Sequence, residues 1–310
     1  MVNKIKIYKN FKINKVHKNS IILIGNFDGM HLGHQKLFQQ AKKYKKKVKL
    51  KLGVVTFDPM PKMFFNKNLK NYRISNINQK INYLKKYNVD FIINKKFDRK
   101  FSKMKSYNFI SNILFKKIKA KYIFVSNNFR FGNKREGDVK LLKNLSQKYL
   151  YKIIKPAPLK KRKKIISSTL IRKLLSSGNL DYANKNLNRY WCIEGMVKKG
   201  RMMGRKIGFP TCNVGLSDYV IPKPGVYAVG VKCVAIKKNL KGIANIGYRP
   251  TFNQKKILLE VNLFNFAGNL YNKKLSVEFR KFIRDEKKFK GIDQLRSQIK
   301  KDIKVAKRYK

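Results

Sequence analysis

The chain is short of acid. Fifteen aspartates and glutamates stand against 76 lysines and arginines in 310 residues, a formal charge of +61. An acidic residue is therefore informative wherever it stands, and none precedes Asp28. Cysteine is also scarce. Cys192, Cys212 and Cys233 have neither paired nor metal-type spacing, which argues against a disulfide framework and for a reduced, cytoplasmic compartment. No apolar run approaches the ~20 residues of a membrane span. The start, Met1 to Lys9, alternates lysine with apolar residues and lacks the core of a secretory signal. No membrane partner is expected.

What is present suits a globular chain. Hydrophobic residues make up 43% and phenylalanine alone contributes 21, enough to build cores. At ~100–200 residues per domain, the length suggests two. The positive charge normally points to a polyanion, with nucleic acid first. Here the lysines run along the whole length, mixed with asparagine and isoleucine, as an A+T-biased coding sequence tends to produce. No aromatic-basic recognition motif accompanies them. The charge reads as a solvated surface with nonspecific RNA binding as a side effect, and no specific nucleic-acid partner is expected.

Strands and helices alternate in the first half. The run Ile21–Ile24 has the β-branched content of a buried strand. A glycine-punctuated loop, Gly25 to Gln35, leads from it into a helix with apolar positions at 37, 38, 41 and 44. Further strands are expected at 48–57, 90–93, 122–125 and 151–154, with helices at 78–87, 106–118 and 138–149. Such alternation implies a parallel sheet with helices on its faces, and ligands at the carboxyl ends of its strands. Pro59 and Pro61 make the end of the second strand a rigid loop. After Asn184–Asn188 the pattern turns to short alternating runs and turns, so residues 187–310 form a mainly β domain following an α/β domain of residues 1–186. Within it Leu259, Val261 and Leu263 share one strand face, Gly268-Asn269 forms a hairpin turn, and Leu275, Val277 and Phe279 alternate on the returning strand. Tyr248 to Thr251 turns out of the strand at 242–247. Ile292, Leu295, Ile299 and Ile303 mark one face of a terminal helix that packs on the barrel.

Four places carry chemistry. In Gly25-Asn-Phe-Asp-Gly-Met-His-Leu-Gly-His-Gln35 the helix mouth offers free N–H groups to a phosphate, and His31 and His34 share a face from which to donate to it. The alternatives are a packed or solvated histidine pair, or a metal half-site that the distant third histidine and cysteines do not complete. Ser167-Ser168-Thr169-x-x-Arg172 is a helix cap or a phosphate grip. Gly204-Arg205-Lys-Ile-Gly208-Phe-Pro-Thr211-Cys-Asn213 is a turn cluster or a phosphate loop, in which Thr211 and Asn213 supply hard oxygens suited to magnesium. Glu260 stands in an apolar strand. It is either a base for phosphoryl transfer or a glutamate paired with lysine on a wet face.

The first loop resembles the HxGH motif of the nucleotidylyltransferases, in the version carried by bacterial FAD synthetases. Thr56-Phe-Asp-Pro-x-Pro61, Asn128-Phe-x-Phe-Gly132 and Ser167-Ser-Thr-x-x-Arg172 resemble the other loops of that family, in the same order. Gly208-Phe-Pro-Thr-x-Asn213, Gly225-Val-Tyr-Ala228, Ala244-Asn-Ile-Gly-x-Arg-Pro-Thr251 and Leu259-Glu-Val-x-Leu-Phe264 resemble its riboflavin kinase module. The resemblance implies an N-terminal Rossmann-like nucleotidylyltransferase domain with a parallel sheet and a C-terminal antiparallel β-barrel kinase domain with a terminal helix. It implies ATP-dependent phosphorylation of riboflavin to FMN, then adenylylation of FMN to FAD with release of pyrophosphate. ATP, riboflavin and FMN would be the partners, Mg2+ the cofactor, and the chain a monomer or weak oligomer.

By motif position, ATP for adenylylation would meet Gly25, Phe27, Asp28, Gly29, His31, His34, Asn128, Ser167, Ser168, Thr169 and Arg172. The kinase phosphates would meet Gly204, Arg205 and Gly208, with Thr211 and Asn213 on magnesium and Glu260 as base. His31, His34 and Glu260 would be catalytic. The chain departs from the pattern at Met60, in place of a histidine, at Ser126, in place of a glycine, at Cys212, in place of an alanine, and at Asp285, in place of a proline. The first two leave open a kinase with a weakened or lost adenylyltransferase half. A basic RNA-associated protein on an old enzyme fold is the remaining alternative, and there His31, His34, Thr211 or Glu260 would be lost.

Overall fold

Apolar runs covered on both faces make the first sheet, seen in a computed structural model that describes residues 5–161, 164–200, 202–233, 236, 238–250 and 255–309. Its strands are β1 (Lys6–Tyr8), β2 (Ile21–Ile24), β3 (Leu52–Asp58), β4 (Phe91–Lys96), β5 (Tyr122–Phe124) and β6 (Lys152–Ile154). They pair in the order β1–β4–β3–β2–β5–β6, each neighbour parallel. All four residues of β2 are buried, as in strands with helices on both sides. Helix α1 (Leu32–Val48) presents Leu37, Phe38 and Ala41 to this core. Strand order reverses at β2, between β3 and β5, so the loop leaving β2 opens at the switch point where such sheets hold ligands.

The chain divides into two compact units. The first joins the chain up to Lys70 with Ile77–Ser167, and the second joins Asn71–Asn76 with the chain from Ser168 on. In the second, β7 (Trp191–Lys198), β8 (Cys212–Val214), β9 (Gly225–Cys233), β10 (Lys238–Pro250), β11 (Lys255–Leu263) and β12 (Lys274–Arg284) close a barrel in the order β7–β8–β11–β10–β9–β12. Every pairing is antiparallel. Leu259, Val261, Leu275, Val277 and Phe279 alternate into a fully buried interior. Helices α4 (Ser168–Ser176) and α5 (Leu180–Leu187) share that core, while Ile299 and Ile303 of the terminal helix α6 (Ile292–Lys307) pack against Val226 and Ile243.

Residues 71–76 form a strap within the second unit. Ile74 is buried in the barrel core and its carbonyl accepts from Trp191 Nε1 at 2.8 Å. Arg73 pairs with the Asp218 carboxylate, and Asn71 Nδ2 donates to the carbonyls of Ser217 and Tyr219 at 3.0 and 3.1 Å.

Several local expectations change. The second strand starts at Leu52 and not at 48, because α1 runs on to Val48 and ends in a left-handed Lys49 (φ 52°). Pro61 takes the first turn of the short helix α2 (Pro61–Phe65), a position where its missing N–H costs nothing. The run Phe109–Ile118 winds as a π-helix. Asp138 caps a helix of Val139–Asn144, its carboxylate accepting from Leu141 N at 2.9 Å, and that helix stops well before Tyr149. No hairpin joins β11 to β12. β11 pairs with β8 and β10, β12 with β7 and β9, so Gly268-Asn269 belongs to a longer connection. β10 continues through the turn expected at Tyr248 as far as Pro250, and Thr251 lies outside the described residues.

The terminal helix is fastened by one buried ion pair. Arg284 donates Nε to Asp302 Oδ1 at 2.9 Å and Nη2 to Oδ2 at 2.7 Å, and Gln298 Nε2 donates to Oδ1 at 2.9 Å. Asp302 is 2% exposed. Removing one partner of such a pair strands the other charge, so Asp302→Ala is expected to destabilise the second unit by ~3 kcal/mol. Denaturant unfolding followed by Trp191 fluorescence checks this, and a loss below ~1 kcal/mol would show the pair to be solvated.

Candidate active site

In the first unit the β2 loop is wound tightly before α1 begins. Phe27 (φ 47°), Gly29 (φ 76°) and Met30 (φ 41°) all take left-handed conformations, which in Phe27 and Met30 is strain of the kind retained at functional sites. The turn they make is buried, Asp28 included. His31 caps α1, with Nδ1 accepting from His34 N at 3.4 Å, which leaves Nε2 as the protonated, donating nitrogen. The His31 and His34 rings stack at 3.7 Å between centroids. Phe27 has turned inward, its ring edge-on to His34 and Phe38, so that only its backbone remains for a ligand. Burial, then His31 and Lys80, hold the His34 imidazole well below its ordinary pKa, so it is neutral at pH 7. His34 Nδ1 is buried without a hydrogen-bond partner. The third histidine, His17, is structural. It stacks on Phe91 and bonds to the Tyr8 hydroxyl at 2.7 Å.

Neighbouring loops complete this edge. A Cβ on Gly33 would come within 3.0 Å of the Ile166 carbonyl, so the backbone leading to Ser167 crosses the mouth of α1. Beyond β5, Ser126 Oγ donates to Asn128 Oδ1 at 3.1 Å and fixes that exposed amide. Thus the serine found in place of a glycine serves to hold Asn128. Ser168, Thr169 and Arg172 belong to the second unit, on α4. Arg172 Nε donates to the Tyr72 carbonyl at 2.7 Å, and its guanidinium lies 3.7 Å above the Tyr72 ring. Met60 is 3% exposed, a core side chain at the place of the expected histidine.

A slot missed in the sequence opens beside these loops. Phe57, Phe97, Phe101, Phe129 and Phe131 line it, with Arg130 and Lys134 at its rim. It measures about 120 Å³, and Phe65, 65% exposed, stands at its edge. Gly132 (φ +76°) is required there, since a Cβ would come within 2.7 Å of Ser106 N. The phenylalanines come from scattered segments, so no local pattern announces the slot.

In the second unit strand register assembles the site. Asn213 of β8 faces Glu260 of β11, which faces Asn245 of β10, making one polar row across three strands. Asn245 was legible as a polar residue in an apolar strand, the same signal that marks Glu260. Burial raises the Glu260 pKa above its ordinary value. Among the described residues Glu260 has no ion-pair partner, and burial alone accounts for its raised pKa. The Asn213 amide nitrogen is turned toward Gly200, where a Cβ would meet it at 1.8 Å, and Oδ1 lies on the other side. Gly204 and Arg205 sit on a short helix, Met203–Lys206, and Gly208 (φ +84°) ends its turn. Two cavities share Thr211, Asn245 and Glu260. One of about 330 Å³ includes Asn213, and one of about 380 Å³ runs between Phe209, Arg284, Phe289 and α6. Burial pushes the Cys212 thiol up, away from reactivity. No cluster of three histidine, cysteine or acidic residues able to hold a metal occurs among the described residues, so a metal here would rest on the oxygens of Thr211 and Asn213.

Comparison with known proteins agrees with both halves. The FAD synthetase family model matches residues 13–170 and the riboflavin kinase model residues 187–310. A bifunctional riboflavin kinase/FMN adenylyltransferase of Buchnera aphidicola subsp. Schizaphis graminum is 41% identical over 96% of each chain. The protein of that name from Escherichia coli K12 is 38% identical over 93% of this chain and 92% of its own. A crystal structure from Streptococcus pneumoniae, titled a macrolide-efflux protein, superposes with a TM-score of 0.85 at 30% identity, covering 98% of this chain and 99% of that one. No described helix is long and apolar enough to cross a membrane. With both transferase modules matched in series and relatives aligned along nearly its whole length, the chain belongs to the bifunctional riboflavin kinase/FMN adenylyltransferase family.

Proposed function

We propose that the second unit phosphorylates riboflavin to FMN with ATP and that the first transfers AMP from a second ATP to FMN, giving FAD and pyrophosphate. The observation that carries the reading is the row Asn213–Glu260–Asn245, a desolvated carboxylate between two amides on a wall shared by two cavities. The smaller cavity, with Thr211 and Asn213, suits the nucleotide phosphates, and the longer, more apolar one suits the flavin. Glu260 then takes the proton of the ribityl hydroxyl as its oxygen attacks the γ-phosphorus and ADP leaves. Magnesium, when bound, neutralises phosphate charge there, and the hard oxygens of Thr211 and Asn213 fit it.

For adenylylation, an FMN phosphate oxygen attacks the α-phosphorus of ATP while the bond to the β-phosphate oxygen breaks. The free N–H groups at the start of α1 and His31 Nε2–H stand where that charge develops. The phenylalanine slot, with its basic rim, fits a planar aromatic anion. At about 120 Å³ it is narrower than the usual ~300–1,000 Å³ of ligand sites, so a flavin ring fits only if the slot widens. We assign residues 1–186 to the adenylyltransferase and 187–310 to the kinase, and by motif position Ser168, Thr169 and Arg172 to ATP binding. Three free cysteines support a cytoplasmic protein, taken to act as a monomer or weak oligomer.

Incubation of purified protein with riboflavin, ATP and magnesium is expected to yield FMN and then FAD. FMN without FAD would support a kinase with a weakened or lost adenylyltransferase half, and no flavin nucleotide from folded protein overturns the reading. His31→Ala and His34→Ala should each lower FAD formation by ~10²-fold or more and spare FMN formation. Glu260→Gln should cut FMN formation by ~10²–10⁴-fold and leave FAD formation from supplied FMN intact.

The raised Glu260 pKa also fixes a stability signature. The folded unit holds this proton more tightly than the unfolded chain, so the contribution is full below the ordinary value of 4.5 and is lost as pH rises through the folded pKa. Glu260→Gln should therefore raise the melting temperature at pH 7 and leave it unchanged near pH 4. An equal effect at both pH values would contradict a desolvated carboxyl.

A further inference from the structure

A lysine lies buried beside the histidine pair. Lys80, on α3 (Ile77–Lys85), is 2% exposed, in a protein that keeps most of its many lysines in water. Burying an ammonium costs several kcal/mol unless it is paired or hydrogen-bonded. Its helix packs against the turn Asp28–Met30 of the β2 loop. Its Nζ donates to Thr56 Oγ1 at 3.1 Å, and Thr56 Oγ1 in turn donates to the Asn26 carbonyl at 3.4 Å. Thr56 is wholly buried at the end of β3. Lys80 is thus joined by two hydrogen bonds to the first residues of the HxGH loop.

We propose that Lys80 is a positioning residue for adenylyl transfer, fixing the β2 loop through Thr56 and placing a desolvated positive charge beside His34. The inference rests on the reading of Gly25–Gln35 as the adenylyl-transfer site. A merely structural lysine would tie α3 to β3 and affect nothing else. Lys80 does more, because its charge acts on the imidazole. Among the described residues, His31 at the helix cap and Lys80 on α3 are the titratable groups that bear on His34, and both disfavour its protonation. A neutral His34 beside a fixed cation suits a polyphosphate site. Lys80 holds its place through Thr56, and the imidazole stays free to give or take one hydrogen bond. The helix N-terminus then faces the charge that appears as pyrophosphate departs, while Lys80 acts through Thr56 and His34.

Two variants of the full chain separate the parts. Lys80→Met removes the charge at similar volume, and Thr56→Val cuts the link to Asn26 while the charge remains. FAD formation from supplied FMN and the His34 imidazole titration, followed by NMR, are the readouts, with FMN formation reporting that the second unit is folded. Lys80→Met should lower kcat by on the order of 10²-fold and raise the His34 midpoint, and Lys80→Arg should restore the midpoint. Thr56→Val should lower kcat with the midpoint unmoved. Should Lys80→Met not fold, Lys80→Arg and Thr56→Val still decide, since wild-type kcat in Thr56→Val denies the link. Wild-type kcat and midpoint in Lys80→Met, with His34→Ala inactive, overturn this inference alone. FAD formation that survives His34→Ala overturns the site reading and the inference with it.

Discussion

A parallel sheet returns every crossover to the same edge, so the loops that leave its strands must crowd together. The first unit depends on that constraint. Loops after β2, β3 and β5 share one edge because these strands are neighbours running one way. The buried hydroxyl of Thr56 reaches the Asn26 carbonyl only because β3 lies against β2 in register, Val55 beside Ile24. The strained turn at Phe27–Met30 survives because its side chains are packed into the core below it.

The barrel meets a different demand. Closing six antiparallel strands leaves no free edge, and the interior is filled by side chains, so a polar group can be accommodated only on the wall. Glu260 stands there between two amides, and strand register alone sets its spacing. The cavity beside it depends on α6, and α6 depends on the Arg284–Asp302 pair, one of few places where this basic chain commits an acid to the interior.

Much of this was legible in the sequence. Period-two alternation marked Leu259, Val261, Leu275 and Phe279 correctly, and the glycine-punctuated loop after the apolar run Ile21–Ile24 located the β2 loop, whereas Cys212 and Asn213, read as part of a turn cluster, lie on β8. Pairing was less visible. A turn-like Gly268-Asn269 suggested a hairpin, but barrel closure gave β11 and β12 other partners, because tertiary pairing overrides a local turn signal. The phenylalanine slot and the burial of Lys80 stayed hidden for a related reason. Both arise from residues far apart in the chain, and a lysine among so many others carries no mark of its environment.

The strap at Asn71–Asn76 bears on how the chain comes to be folded. Its partners Trp191 and Asp218 lie more than a hundred residues downstream, so a chain made from its N-terminus finishes the strap long before it can be used. The early half therefore waits with Ile74 and Arg73 uncommitted until the barrel appears, a contact order that slows folding. It also means that the second unit is not a continuous stretch of chain. A cut before Trp191 severs the barrel from residues that satisfy its indole nitrogen and from an isoleucine of its core. A barrel begun at Trp191 would therefore lack part of its own core.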